Sequence, residues 1–245
     1  MAAIAVYSLK GGVGKTTLAV NLAWCAATLS ARRTLLWDLD PQAAATYLLP
    51  GAKPAKGAAQ AIFSKDVDAA KVTRATDIAR LDLIGADASL RGLDLLFHEL
   101  DKKKRLARLL DGLTREYDRV ILDCPPGLTE TSEQVMRAAS LIVVPVIPSP
   151  LSVRAFEEVK AHLGRRGSAP LVLPVLPVHM MVDRRRALHA AALAEHPDWP
   201  VVPMASAIEQ MTVRRKPVGA YAPRSPGTTA FAEVWRAIER RLAAP

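Results

Sequence analysis

Short apolar runs alternate along the chain with longer stretches of helical period. Seven runs predict strands: Ile4 to Ser8, Thr34 to Asp38, Leu81 to Gly85, Arg119 to Asp123, Leu141 to Val146, Leu171 to Leu176 and Val201 to Pro203. Each is nearly continuous in hydrophobicity instead of alternating, which marks strands covered on both faces. Leu18, Leu22, Ala26 and Leu29 form one stripe of a first helix that begins inside a Gly-rich loop. Leu93, Leu96, Leu100, Leu106, Leu109, Leu110 and Leu113 make a broken helical stripe before the fourth strand, and Gly51 to Gly57 reads as a surface loop. The alternation predicts an α/β fold, a mostly parallel twisted sheet of about seven or eight strands flanked by helices on both faces. With 245 residues and no linker, repeat or low-complexity tract, a single domain spanning residues 1–245 is expected.

Half the residues are hydrophobic but only 5% are aromatic, so the core is aliphatic. Cys25 and Cys124 stand alone in apolar stretches, without the spacing of a zinc site or a disulfide framework, which fits a reducing cytoplasm. The apolar start is too short for a signal peptide, and no segment reaches the roughly 18 unbroken apolar residues of a membrane span. The net charge is +9, and residues 154–245 carry 14 basic against 8 acidic side chains. A basic last third concentrates polyanions such as DNA or anionic lipid.

The decisive chemistry is Lys10, Gly11, Gly12, Val13, Gly14, Lys15, Thr16 and Thr17, placed after the first strand and before the first helix, where a phosphate loop belongs. The glycines let backbone N–H groups converge on phosphates, and the helix N-terminus adds its positive end. Lys15 is expected to neutralise the β- and γ-phosphates of ATP, and the Thr16 hydroxyl to ligate Mg²⁺. The run Val120-Ile121-Leu122-Asp123 is an apolar strand ending in an acid, the Walker B arrangement; Asp123 is expected to hold Mg²⁺ through water, and Pro125-Pro126-Gly127 to sense the γ-phosphate.

The usual Gly at the head of the motif is replaced by Leu9, followed by a second lysine, Lys10. From this deviant Walker A motif, KGGxGKT, the chain resembles the ParA and MinD family of ATPases. The resemblance implies that Lys10 crosses a dimer interface to the partner's nucleotide. Asp38-Leu39-Asp40-Pro41-Gln42 matches the family's DxDPQ segment, implying that Asp40 orients the attacking water and that the Pro41-Gln42 loop is the first switch. Asp40 is also a candidate metal ligand, and Asp38, at a strand end near the phosphates, is expected to support the metal through water. Lys216-Pro217-Val218 and Pro223 to Gly227 look like the family's KPV and PRSxG elements, although the acid often found after the fifth strand is absent. Asp183 and Met204 are the candidates for contacting the base.

The family implies an ATP-dependent homodimer with a weak ATPase stimulated by a partner protein. It also implies binding to nucleoid DNA or to membrane. Arg184, Arg185, Arg186 and Arg214, Arg215, Lys216, each at or near a helix start, point to non-specific contact with double-stranded DNA and a cytoplasmic, nucleoid-associated location. Lys102 to Arg105 reads as the wet side of a helix. Phe231, Val234, Trp235, Ile238 and Leu242 share one face of a final helix, which is expected to pack in the core instead of binding membrane. No helix-turn-helix domain precedes the first strand, so operator binding is not expected. An iron–sulfur relative needs cysteines at other positions, and a small-molecule kinase or synthetase on the same fold is the remaining enzyme alternative.

Overall fold

The computed structural model describes residues 1–50, 57–64, 69–99, 104–164 and 173–243. Among them run eight strands, β1 (Ala2–Val6), β2 (Thr34–Asp38), β3 (Arg74–Ala75), β4 (Leu81–Ile84), β5 (Arg119–Asp123), β6 (Leu141–Val146), β7 (Val175–Val182) and β8 (Val201–Pro203). They form one sheet in the order β3-β4-β2-β5-β1-β6-β7-β8, parallel throughout except for β3 against β4.

The two faces sort by residue parity, as a pleated strand requires. Ile4, Val6, Leu36, Ile121 and Val143 face one core, built with the helices Lys15–Leu29 and Pro226–Ala243. Ala3, Ala5, Leu35, Trp37, Leu122 and Val144 face the other, with Phe63, Phe97, Leu106, Val135 and Phe156 from the opposite helical layer. Both faces are covered, which explains the continuous apolar runs.

Three expectations change. The first helix is predicted as a single stripe, yet everything from Leu18 to Ala27 is buried while Leu29 is exposed. It lies between the sheet and the last helix, and Trp24 meets the Val218–Tyr221 turn so closely that a Cβ on Gly219 would lie 2.2 Å from the indole. The strand expected at Leu171 to Leu176 runs instead from Val175 to Val182; Leu171 and Val172 lie outside the described residues. Pro177 hid it. His179 donates its N–H to Pro200 on the β8 side, so Pro177, two residues earlier, faces that side before β8 begins and breaks no ladder bond. The short antiparallel β3 was not expected, being two residues without an apolar pattern.

The leucine stripe splits into the helices Leu93–Glu99 and Arg105–Gly112, burying Leu93, Leu106, Leu110 and Leu113; Leu100 lies outside the described residues, as do residues 51–56 of the expected loop and Lys102 and Lys103. Phe231, Val234, Trp235 and Ile238 are buried in the core, so the apolar face of the last helix is already occupied. Among the described residues no helix is long and apolar enough to cross a membrane. Cys25 and Cys124 are buried and free.

Candidate active site

β1 lies between β5 and β6, so the chain leaving Val6 emerges mid-sheet and must turn into the helix Lys15–Leu29. Gly12 and Gly14 make that turn at φ of 73° and 88°, left-handed values costly to a residue with a Cβ. Gly14 also caps the helix, and a Cβ there would sit 3.0 Å from Met180 Cε. No acidic residue occupies the first helical turn and no side chain caps it, so its N–H groups and positive end remain for an anion. Lys15 is buried, with its ammonium donating to the Lys10 carbonyl at 2.9 Å. Desolvation pulls its pKa down, against the opposing pull of Asp123, Asp40 and Cys124.

A cleft of about 700 Å³ opens over this loop. Gly11, Gly12, Gly14, Lys15, Thr16 and Thr17 form its floor, Asp40, Pro41 and Gln42 one wall, and Pro125 and Pro126 another. Lys10 and Val13 do not line it, and Lys10 is half-buried. Asp40 is half-buried, its Oδ1 accepting the Gln42 N–H at 2.9 Å.

Beneath the loop, Asp38 and Asp123 are register partners on adjacent strands, both fully buried. Asp38 is satisfied: Oδ1 accepts the Asp40 N–H at 3.2 Å, and Oδ2 accepts the Thr46 N–H and hydroxyl at 2.9 and 2.7 Å. Burial nonetheless pushes its pKa up to about 6. Asp123 is not satisfied, because neither carboxylate oxygen has a hydrogen-bond partner. The neighbouring Thr16 hydroxyl acts on the carboxylate but is not one of its hydrogen-bond partners. Burial and then the Asp38 charge drive Asp123 well above the carboxylate range, with Thr16 and Lys15 opposing. A buried carboxylate without a donor is stable only if it takes a proton or a cation. An oxygen set of one hydroxyl and one carboxylate, with water, suits Mg²⁺.

Beside this cleft, sharing Thr17 and Met181 with it, lies a smaller apolar cavity of about 170 Å³. Met180, Met204 and Met211 line it with Val202 and Pro203, giving apolar walls of the kind a base would fill. Met204 therefore stands at this cavity. Asp183 lines neither cavity: its carboxylate takes both Nε and Nη2 of Arg185 at 2.9 Å, and these bonds bring its pKa down to about 2.

The two basic triplets lie apart in character. Arg184, Arg185 and Arg186 are exposed, with Arg185 held by Asp183 and Arg184 lining a groove shared with Arg240 and Arg241. The second triplet links two short helices: Arg214 closes Met211–Arg214, and Lys216 precedes Pro217, the N-cap of Val218–Tyr221, so it lies near a helix start as well as at a helix end. Arg214 donates to Gln210 at 3.0 Å and lies over the Tyr221 ring, Arg215 contacts Tyr47, and Lys216 is exposed.

Sequence reasoning missed Thr46, which anchors the segment after DxDPQ, and Arg91, Asp94 and Thr131, which line the far side of the cleft. Thr131 donates to Asp94 through both N–H and hydroxyl at 2.8 and 2.7 Å. No local spacing relates residues 37 positions apart.

A family described as "AAA domain" matches residues 1–165. The sporulation initiation inhibitor protein Soj of Bacillus subtilis (strain 168) is 30% identical over 257 residues, covering 98% of each chain. A putative plasmid partition protein from Borrelia burgdorferi, solved bound to AMPPNP, is similar in fold with a TM-score of 0.84 at 19% identity, over 98% of this chain and 99% of that one. A cobyrinic acid a,c-diamide synthase from Mycobacterium smegmatis, solved with an ATP analogue and magnesium, gives a TM-score of 0.76 at 26% identity, over 100% of this chain and 96% of that one. Identity at the level of Soj runs far beyond a shared phosphate loop and extends from end to end of both proteins: the chain belongs to the ParA/MinD family of P-loop ATPases.

Proposed function

We propose that the protein binds Mg-ATP, dimerises on it, and in that state holds double-stranded DNA non-specifically while positioning a cargo. The observation that carries the reading is Asp123, buried with both oxygens unpartnered under a loop that presents a desolvated lysine. An arrangement so costly when empty is made for a triphosphate and its metal.

In this reading the triphosphate replaces the Lys10 carbonyl as partner of the Lys15 ammonium, and the N–H groups from Gly11 to Thr17 take the phosphate oxygens. Thr16 and Asp123 would hold Mg²⁺, which when bound neutralises charge on the β- and γ-phosphates. The base enters the cavity at Met204. Asp40 has its Oδ1 engaged by Gln42, leaving Oδ2 to orient the water that attacks the γ-phosphorus as the bond to ADP breaks. Lys10, outside its own cleft, supplies a cation to the partner subunit's nucleotide, so turnover is slow until dimerisation and a stimulatory partner complete the site. Arg184 to Arg186 and Arg214 to Lys216 supply phosphate contacts, doubled in a dimer. The location that follows is cytoplasmic and nucleoid-associated.

A second reading, ATP-dependent small-molecule synthesis, draws on the breadth of the cleft: Arg91, Asp94 and Thr131 line space beyond the phosphate loop. Membrane binding by the last helix is disfavoured by the burial of its apolar face. The deciding measurement is ATP turnover with duplex DNA, with anionic liposomes and with neither, alongside gel mobility in ATP and in ADP. Stimulation and retardation by DNA in ATP are expected. Equal retardation in both nucleotides contradicts the switch, and ADP release that requires an added small acceptor favours synthesis.

A further inference from the structure

Residues 211–218 carry the second basic triplet, and three contacts tie them to the nucleotide end. Asn21 on the phosphate-loop helix is buried; its Nδ2 donates to Thr17 O at 2.7 Å and to Met211 Sδ at 3.1 Å, while its Oδ1 accepts the Val218 N–H at 2.9 Å. Both ends of the segment are thereby pinned to the helix that begins at Lys15. Between those pins Arg215 adopts φ 51°, a left-handed conformation for a residue with a side chain. From it the Nε donates to the Tyr47 carbonyl at 2.9 Å, and the guanidinium lies over the Tyr47 ring at 4.6 Å from its centroid.

Tyr47 belongs to the helix Ala44–Leu48, which follows the Asp40-Pro41-Gln42 wall of the cleft and hangs from Asp38 through Thr46. Arg215 is thus attached to the element that directly follows the Asp40 wall of the cleft. With Nε spent and one face covered by a ring, the guanidinium has lost its side-on fork for a phosphate.

We propose that Tyr47 is a positioning residue: it withholds Arg215 from polyanions in the arrangement described, and movement of residues 40–47 on binding ATP releases it. This rests on the DNA-binding reading above. The second triplet then acts as a gated contact, whereas Arg184 and Arg186 stand open in both states.

The test uses the full chain and a mixed-sequence duplex, with retention measured in ATP and in ADP across a salt series. Tyr47→Ala is expected to raise ADP-state retention roughly threefold or more, the scale of one exposed cation–ring contact, and to steepen the ADP-state salt slope by about 0.9 per subunit. ATP-state retention should stay as in the wild type. Both variants keep the backbone carbonyl, so Tyr47→Phe, which also keeps the ring, should behave as wild type, and adding Arg215→Ala to Tyr47→Ala should erase the gain. Wild-type ADP-state retention in Tyr47→Ala, a gain that survives Arg215→Ala, or a Tyr47→Phe that matches Tyr47→Ala overturns the gate. If the wild type shows no ATP-dependent retention, the DNA reading falls and takes the gate with it; if it does and Tyr47→Ala leaves the ATP to ADP ratio unchanged, the gate alone falls.

Discussion

The nucleotide end and the basic segment 211–218 are opposites. Under the phosphate loop, charged groups are buried and incompletely satisfied: Asp123 has no donor, and Lys15 makes do with a backbone carbonyl. In the basic segment the charges are exposed or half-buried yet engaged, Arg214 with Gln210 and Tyr221, Arg215 with Tyr47. A buried unsatisfied charge costs free energy that a ligand can return, so the first region calls for an occupant even when empty. An exposed, satisfied arginine calls for nothing by itself, and binding there must compete with contacts already made. The first region should therefore show large losses on substitution, and the second small ones that depend on state and salt.

The sharpest contrast comes from Lys15→Ala. It deletes the cation proposed to meet the phosphates, and ATP turnover should fall on the order of a thousandfold, the range for one preorganised electrostatic group. Calorimetry with Mg-ATP should show affinity lost along with turnover. Binding at wild-type strength would remove Lys15 from the site. Next, Asp40→Ala removes only the group proposed to orient water, so turnover should drop about a hundredfold or more while light scattering still reports ATP-driven dimers. An Asp40→Ala protein that hydrolyses ATP normally refutes its role.

On the basic side, replacing Arg214 and Arg215 together by Ala should weaken ATP-state DNA retention and reduce the salt slope by about one for each lost phosphate contact. ATP-driven dimerisation should be spared. Unchanged retention would move the contact surface to Arg184, Arg186 and the neighbouring Arg240 and Arg241.

The same contrast explains what could be read without coordinates. The phosphate loop and Walker B strand were legible because their chemistry is local: glycines, a lysine and an acid within a few residues of a strand end. Six of the eight strands were found for the same reason, each being an apolar run bounded by polar residues. β7 was misplaced because Pro177 disguised a strand whose ladder tolerates it, and β3 has no pattern to find. What escaped was non-local. Asn21 with Val218, Arg215 with Tyr47, and Asp94 with Thr131 join residues far apart in sequence, and only the crossovers of the sheet bring them together.

The smallest effect tests the claim that Asp123 is uncomfortable when the cleft is empty. The carboxyl of Asp38 is raised from 3.8 to about 6, and that of Asp123 well above 3.8, so the folded protein binds protons that the unfolded chain releases. The stability Asp38 contributes is full below pH 3.8 and is lost as pH rises through about 6, and that of Asp123 is lost in the same direction as pH rises above 3.8. Asp183, lowered to about 2, acts in a lower window, losing its contribution as pH falls below the unfolded value. His179, whose pKa burial lowers, opposes the trend near neutrality, so wild type alone is a poor witness. Asp123→Asn imitates the protonated state and leaves Asp183 and His179 untouched, and the difference between the two melting curves cancels both. Without nucleotide, that difference should be near zero around pH 4 and grow to a few degrees in favour of the variant by pH 7, about 1 kcal/mol for a chain of this size. A variant less stable than wild type at neutral pH would mean that Asp123 has a partner in solution, and the case for a site kept open for a metal would lose its foundation.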